Sequence, residues 1–175
     1  MVIRSTTDAV PRPQMPPFVI NRVFEAPRVL VWKAWTERER LARWWGPKGF
    51  AVDILEADVR PGGVFHFGMR SKGGRQHWGR FDYREIVAPE RLVFTVAFAD
   101  ENGNVARNPF DADWPLQMLS TVTFAERQSL TTVTVTQAPM MPSAAERKAF
   151  EAGRESMRAG WNGTCDKLAL YLAKP

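Results

Sequence analysis

The chain has 175 residues, 45% of them hydrophobic and 25% charged, which is the composition of one ordinary globular domain. Its single cysteine, Cys165, excludes an internal disulfide, and no apolar run reaches the length of about 18 residues that a membrane-spanning helix needs. Residues 1–17 contain no apolar stretch of the length found in signal peptides, so we expect a cytoplasmic protein with no membrane partner.

The formal net charge is +5, and basic residues outnumber acidic ones between Arg28 and Lys48. These side chains form either an ordinary solvated surface or, through Arg38, Arg40, Arg43 and Lys48, a docking surface for an acidic protein. The sequence has no zinc-finger spacing, recognition-helix pattern or RNA-binding aromatic motif. We therefore expect no nucleic-acid partner.

The first predicted element follows a short arm. Residues 1–17 are rich in proline and have no periodicity, which predicts a flexible N-terminal arm ahead of a single domain over residues 18–175. Polar and apolar residues then alternate over residues 18–24, which predicts a strand.

Two short helices are predicted next. Pro27 suits the first position of a helix, and apolar residues over 28–35 recur at helical spacing. The pattern Thr36-x-x-Glu39 is that of a capping box, which predicts a second helix that ends at Trp44.

From Phe50 onward the apolar residues recur with period two, which predicts strands with short turns in an antiparallel meander. The predicted strands span residues 50–59, 63–70, 76–87, 91–98, 117–126 and 129–137. One connection, residues 99–115, is long and has no clear periodicity, so we expect it to be a lid or a binding loop.

The last predicted element is a long helix. Ser143 and Glu146 form a capping-box pattern, and helical spacing continues to about Ala173. Gly153, Gly160 and Gly163 are unfavourable inside a helix, so we expect a bend or a close approach to the sheet near them.

Together these elements predict an α+β fold. A curved antiparallel sheet of seven strands must bury its apolar face, and the last helix is the element long enough to cover it. A sheet that curls around one helix leaves space at its open end, where the two short helices and the long loop meet. We therefore expect a cavity there.

The sequence also resembles the activator of heat-shock protein 90 ATPase homologue family over most of its length. The resemblance is carried by Arg22-Val-Phe-x-Ala-Pro27, Arg43-Trp-Trp-Gly-Pro47, Asp58-x-Arg60-Pro-Gly-Gly63, Pro89-Glu-Arg-Leu-Val-Phe-Thr95 and Gly160-Trp161. It implies membership of the START/polyketide-cyclase-like superfamily and the helix-grip (START-like) fold. Superfamily members bind lipids, hormones or polyketides, some catalyse cyclisation or dehydration, and the family's namesake stimulates the chaperone.

The candidate ligand-binding residues are large apolar side chains that the predicted elements place on the inner surface. They serve either simple core packing or the wall of a cavity, and Trp161 beside Gly160 is the strongest candidate for the wall. The full set is Trp35, Trp45, Phe65, Phe67, Phe81, Tyr83, Phe94, Phe98, Met118, Met157 and Trp161.

Few residues are candidates for catalysis. The chain has 2 histidines. Strand parity places His66 outside the sheet, where we expect a surface role rather than catalysis, and His77 near the cavity rim. With one cysteine they supply no ligand set for a metal, and no phosphate loop or dinucleotide fingerprint indicates a cofactor. Cys165 lies on the apolar side of the last helix, where packing is the expected role.

The carboxylates leave an enzymatic alternative open. Asp58 is expected to pair with Arg60, whereas Glu56 or Glu85 would become a general acid or base if its strand turned it into the cavity.

Three hypotheses of function follow from the sequence. The first is non-enzymatic binding of a hydrophobic small molecule, with a cavity wall of aromatic rings. The second is an enzyme of the cyclase or dehydratase type that uses a carboxylate in the cavity. The third is a module that interacts with a chaperone or another protein, and a homodimer is also open.

Overall fold

The computed structural model describes residues 15–174. The predicted N-terminal arm therefore lies outside the described residues, apart from residues 15–17. The Arg154 guanidinium donates hydrogen bonds to the carbonyl oxygens of Pro16 at 2.5 Å and Pro17 at 3.1 Å.

Within residues 15–174 the chain forms four helices and a sheet of eight strands. The helices are α1 (Arg28–Thr36), α2 (Arg38–Trp44), α3 (Ala144–Ala152) and α4 (Arg154–Leu172). The strands are β1 (Phe18–Phe24), β2 (Phe50–Ala57), β3 (Val64–Ser71), β4 (Gln76–Val87), β5 (Arg91–Ala99), β6 (Val105–Ala106), β7 (Met118–Arg127) and β8 (Leu130–Pro139).

The long strands form one antiparallel sheet in the order β1-β8-β7-β5-β4-β3-β2, and the two-residue β6 pairs with β5. The helices α1 and α2 connect β1 at one edge to β2 at the other, so they cross the open side of the curved sheet. Pairing between β2 and β3 is interrupted by a bulge between Ile54 and Glu56. The predicted helix-grip fold is confirmed.

The core lies on the concave face of the sheet. Alternate residues of β7 are buried, and the same parity on β8 buries Val133 and Val135. The two short helices contribute Val31 and Trp44, and α4 contributes Leu168, all almost fully buried. Each such side chain stabilises the fold by about 1.5–3 kcal/mol through its removal from water.

One of the two predicted capping boxes forms. Ser143 Oγ accepts a hydrogen bond from Glu146 N at 3.1 Å, and Ser143 N donates to Glu146 Oε2 at 2.9 Å, which confirms the start of α3. The box predicted at Thr36 is wrong. Thr36 remains the last residue of α1, and its hydroxyl donates to the carbonyl oxygen of Trp32 at 2.9 Å, since a threonine inside a helix bonds most readily to the preceding turn.

The predicted long terminal helix is divided into α3 and α4 at Gly153. A Cβ atom at Gly153 would lie 2.5 Å from Cζ3 of Trp114, a residue of the loop that precedes β7. A Cβ atom at Gly160, by contrast, would meet no other atom within 4 Å. The expected irregularity therefore occurs at Gly153, and its cause is the approach of a loop tryptophan rather than of the sheet.

The two glycines predict opposite effects on stability. Gly153→Ala should lower the free energy of unfolding by about 1–3 kcal/mol, because the methyl group overlaps the Trp114 ring. Gly160→Ala should raise the same quantity by up to about 1 kcal/mol, because alanine is the better helix former and has room. Urea denaturation of both variants beside the wild type measures this, and equal effects at the two positions would contradict the account.

Candidate functional site

A cavity of about 760 Å³ lies between the concave face of the sheet and the terminal helices. Its floor is formed by inward-facing side chains of the central strands, including Phe67, Phe81 and Val96. Its roof is formed by Met157 and Trp161 of α4. The loop before β7 closes one side, so the sheet, the last helix and this loop all contribute to one apolar wall.

Seven of the predicted binding residues line this cavity, and the other four lie in the core away from its wall. The lining residues are Trp45, Phe67, Phe81, Phe98, Met118, Met157 and Trp161. The core residues are Trp35, Phe65, Tyr83 and Phe94, all buried. Phe94 stacks on Phe81 with ring centroids 4.3 Å apart, so it supports a wall residue from behind.

Trp45 holds the aromatic side of the wall in place. It follows α2 directly and makes edge-to-face contacts with Phe67 at 5.6 Å and Phe81 at 5.3 Å between ring centroids. Trp161 approaches from α4 and lies 6.0 Å from Trp45. Aromatic pairs of this geometry are each worth about 0.5–1.5 kcal/mol beyond the area they bury, so the wall is preformed.

The loop before β7 contributes residues that its sequence did not single out. Asn108, Phe110, Asp111 and Trp114 line the cavity, which agrees in position with the expectation that residues 99–115 form a lid or binding loop. Phe110 is 56% exposed although it lines the wall, so it marks the mouth of the cavity.

One buried polar side chain on the wall was also missed. Gln137 of β8 shares a face with Val133 and Val135, a parity that could have revealed it. Its Nε2 donates to Ser120 Oγ at 2.7 Å, and its Oε1 accepts from Trp161 Nε1 at 3.0 Å. The first bond joins β8 to β7, and the second joins β8 to α4.

The prediction that His66 has a surface role is wrong. Its side chain lies on the outer face of β3, as strand parity required, but only 5% of the residue is exposed. The turn between β5 and β6 covers it, with His66 Nε2 3.0 Å from the carbonyl oxygen of Asp100. Strand parity reports a face of the sheet, and it carries no information about a turn that folds over that face.

His77 lies beside the cavity, close to its predicted position. Its ring is 5.3 Å from Phe110 and 6.1 Å from Phe98, both of which line the cavity. Burial lowers the pKa of His77 below its ordinary value, because removal from water disfavours the charged imidazolium.

The carboxylates proposed for acid–base chemistry lie away from the cavity. Glu56 and Glu85 are exposed, and Glu85 pairs with Arg91. Asp58 pairs with Arg60 at 2.8 Å, as expected. Among residues 15–174 the carboxylate that lines the cavity is Asp111, an exposed residue.

Two further absences concern the same described residues. Between residues 15 and 174 no group of three or more His, Cys, Asp or Glu side chains is placed to hold a metal ion. In this part of the chain no helix is both long enough and apolar enough to cross a membrane.

Most of the basic surface suggested as a docking site is engaged within the molecule. Arg38 Nη2 donates to the carbonyl oxygen of Ile54 at 2.8 Å, and Lys48 Nζ pairs with Asp166 at 2.8 Å. Arg40 pairs with Glu37, which together with a bond to the Tyr171 hydroxyl raises the pKa of the guanidinium. Glu37 and Asp166 offset the charges of Arg40 and Lys48, whereas Arg38 keeps its charge and is held in position by a carbonyl oxygen.

The chain is similar in sequence to one protein family. The family described as Activator of Hsp90 ATPase homolog 1-like protein matches residues 25–173. No curated protein matches the chain.

Several solved structures share the fold. A protein from Arthrobacter aurescens is 26% identical with a TM-score of 0.74, over 97% of this chain and 94% of that one. One from Chromobacterium violaceum is 24% identical with a TM-score of 0.70, over 91% and 99% of the two chains. One from Mycobacterium smegmatis is 22% identical with a TM-score of 0.71, over 90% of each chain.

The buried position of Cys165 predicts an unreactive thiol. Cys165 is buried on α4, and burial raises the pKa of its thiol to about 11 because the thiolate is poorly solvated there. At pH 8 only about one thiol in a thousand is then ionised. Dithionitrobenzoate should react with the folded protein far more slowly than with the protein in denaturant, as followed by absorbance. Fast, complete reaction of the folded protein would contradict this.

Proposed function

Since the chain belongs to the Activator of Hsp90 ATPase homolog 1-like protein family, we propose that it binds a hydrophobic small molecule in the cavity between the sheet and α4, without converting it. The observation that carries the proposal is the cavity itself. Its volume of about 760 Å³ falls in the range of small-molecule sites, about 300–1,000 Å³.

The chemistry of the wall supports an apolar guest. Side chains from β3, β4, β5, β7 and α4 present rings and thioethers to the cavity, among them Phe67, Phe81, Met118 and Met157. Burial of apolar ligand surface against such a wall is worth about 25 cal/mol per Å² before the cost of association is subtracted. Methionine side chains adapt to guests of different shape, which suits a binding site more than a close-packed core.

The mouth of the cavity offers a route by which a ligand can enter. Phe110 is both exposed and part of the wall, and it belongs to a loop that Trp114 fixes against Gly153. A guest that enters beside Phe110 would cover this ring. The loop is thus anchored at one point and exposed at another, as a binding loop requires.

The enzymatic alternative has less support. A cyclase or dehydratase of the kind considered would hold a desolvated carboxylate near the bound molecule. Glu56 and Glu85 are exposed elsewhere on the protein, and Asp111 is exposed at the mouth. The chaperone alternative relied on a basic surface of which Arg38, Arg40 and Lys48 are engaged by intramolecular partners.

Binding can be tested with N-phenyl-1-naphthylamine, an uncharged probe whose fluorescence rises in apolar surroundings. The wild-type protein should bind it saturably at about one probe per chain. Gly160→Phe places a ring in the open space beside Gly160 and should weaken binding at least about tenfold, or about 1.4 kcal/mol.

Ala159→Phe is the matched control, because Ala159 is exposed on the same helix and does not line the cavity. This variant should bind the probe like the wild type, and circular dichroism should show both variants folded. No saturable binding to the wild type would overturn the proposed function, and so would equal binding by the wild type and a folded Gly160→Phe variant.

A further inference from the structure

The amide of Gln137 is a polar group buried in the cavity wall. Only 3% of the residue is exposed, and the side chain projects from the concave face of β8 among apolar neighbours. A buried amide costs free energy unless its hydrogen-bonding groups are satisfied. The hydrogen bonds of Gln137 therefore show which of its donors and acceptors is still without a partner.

The partners of Gln137 determine the orientation of its amide. The indole Nε1 of Trp161 is a donor only, so the group that faces it must be the oxygen Oε1 of Gln137. Nε2 then faces Ser120 and donates one of its two hydrogens to the hydroxyl oxygen at 2.7 Å. The second N–H of Gln137 has no partner among residues 15–174.

One other wall residue has a buried donor without a partner among the described residues, the indole Nε1 of Trp45. The remaining polar side chains on the wall are engaged or lie toward solvent. Thr164 is buried, but its hydroxyl donates to the carbonyl oxygen of Gly160 at 3.0 Å. The amide oxygen of Asn108 accepts from Phe110 N at 2.8 Å, and this pair lies toward the mouth. Ser156 is exposed. The unused N–H of Gln137 and the Nε1–H of Trp45 are thus the buried donors on residues of the wall, and the amide of Gln137 is the one that neighbouring side chains orient from both ends.

The charges on the cavity wall also restrict the charge of the molecule that can bind inside. Among the described residues no lysine, arginine or histidine lines the cavity, and Asp111 at the mouth is negative. A carboxylate inside would lose its hydration with no cation to replace it, which is strongly unfavourable in apolar surroundings. A neutral carbonyl oxygen loses much less hydration free energy, and a hydrogen bond from the wall offsets that loss.

We propose that the guest is a neutral hydrophobic molecule with a carbonyl oxygen, which accepts a hydrogen bond from Nε2 of Gln137. This inference rests on the proposed function and narrows it to one chemical class. Gln137 determines specificity, and Ser120 and Trp161 are positioning residues that hold its amide toward the guest.

Three probes that share a naphthalene ring test which chemical class the cavity prefers. They are 2-acetylnaphthalene, a neutral ketone; 2-naphthoate, an anion; and 2-ethylnaphthalene, a hydrocarbon. Equilibrium dialysis at pH 7.5 gives their dissociation constants. The ketone should bind at least about tenfold more tightly than the anion, a difference of about 1.4 kcal/mol.

Gln137→Met keeps the length of the side chain and removes the donor. It should weaken binding of 2-acetylnaphthalene about tenfold and change binding of 2-ethylnaphthalene by less than about twofold. Gln117→Met is the matched control, because the same substitution at this half-buried position lies outside the cavity wall. It should change neither constant.

A spectroscopic readout covers the case in which Gln137→Met does not fold. In the wild-type protein labelled with ¹⁵N, the side-chain amide resonance of Gln137 should shift with the ketone and stay nearly unchanged with the hydrocarbon. An equal response to both probes would overturn the inference.

The remaining outcomes separate this inference from the proposed function. Binding of the anion as tight as that of the ketone, or an equal loss of both neutral probes in Gln137→Met, overturns the inference and leaves the proposed function standing. Failure of all three probes to bind the wild type counts against both.

Discussion

The structure depends on a mismatch in size: the concave face of the curved sheet is larger than the last helix can cover by close packing. At one end of the concave face, α1 and α2 supply Trp32, Trp35 and Trp44, and these rings fill the space. At the other end α4 supplies Met157 and Trp161, which reach across without filling it. Close packing is the rule in protein interiors, so a void of this size persists because preformed elements on every side keep it open.

The C-terminal half of α4 is tied firmly to the rest of the domain. Asp166 accepts hydrogen bonds from Lys48 and Arg22, and these cations lower the pKa of its carboxyl. Lys167 Nζ donates to the carbonyl oxygen of Trp45 at 3.1 Å. Because these bonds hold one half of the helix, the half that roofs the cavity is positioned without having to pack densely against the sheet.

Prediction from the sequence was correct for features that the residue pattern of a single element determines. Period-two alternation located the long strands, and the Ser143 box located the start of α3, since both signals are local. It was weaker where two distant segments meet. Nothing in the sequence around His66 reports the turn at Asp100 that covers it, and nothing around Gly153 reports Trp114. The candidate site shows the same contrast between local patterns and distant contacts. The strand and helix residues on its wall were predicted from periodicity, whereas Phe110 and Trp114 lie in a loop without periodicity and were not.

The engagement of Arg38 has a consequence for self-association. Strand β2 lies at an edge of the sheet, where unpaired backbone groups invite another strand to add. Its bulge between Ile54 and Glu56 breaks the regular spacing of those groups, and the Arg38 guanidinium occupies the carbonyl oxygen of Ile54. A second chain aligned along β2 would have to displace a charged side chain and span an irregular register. This edge is thereby protected against fibril growth by backbone pairing.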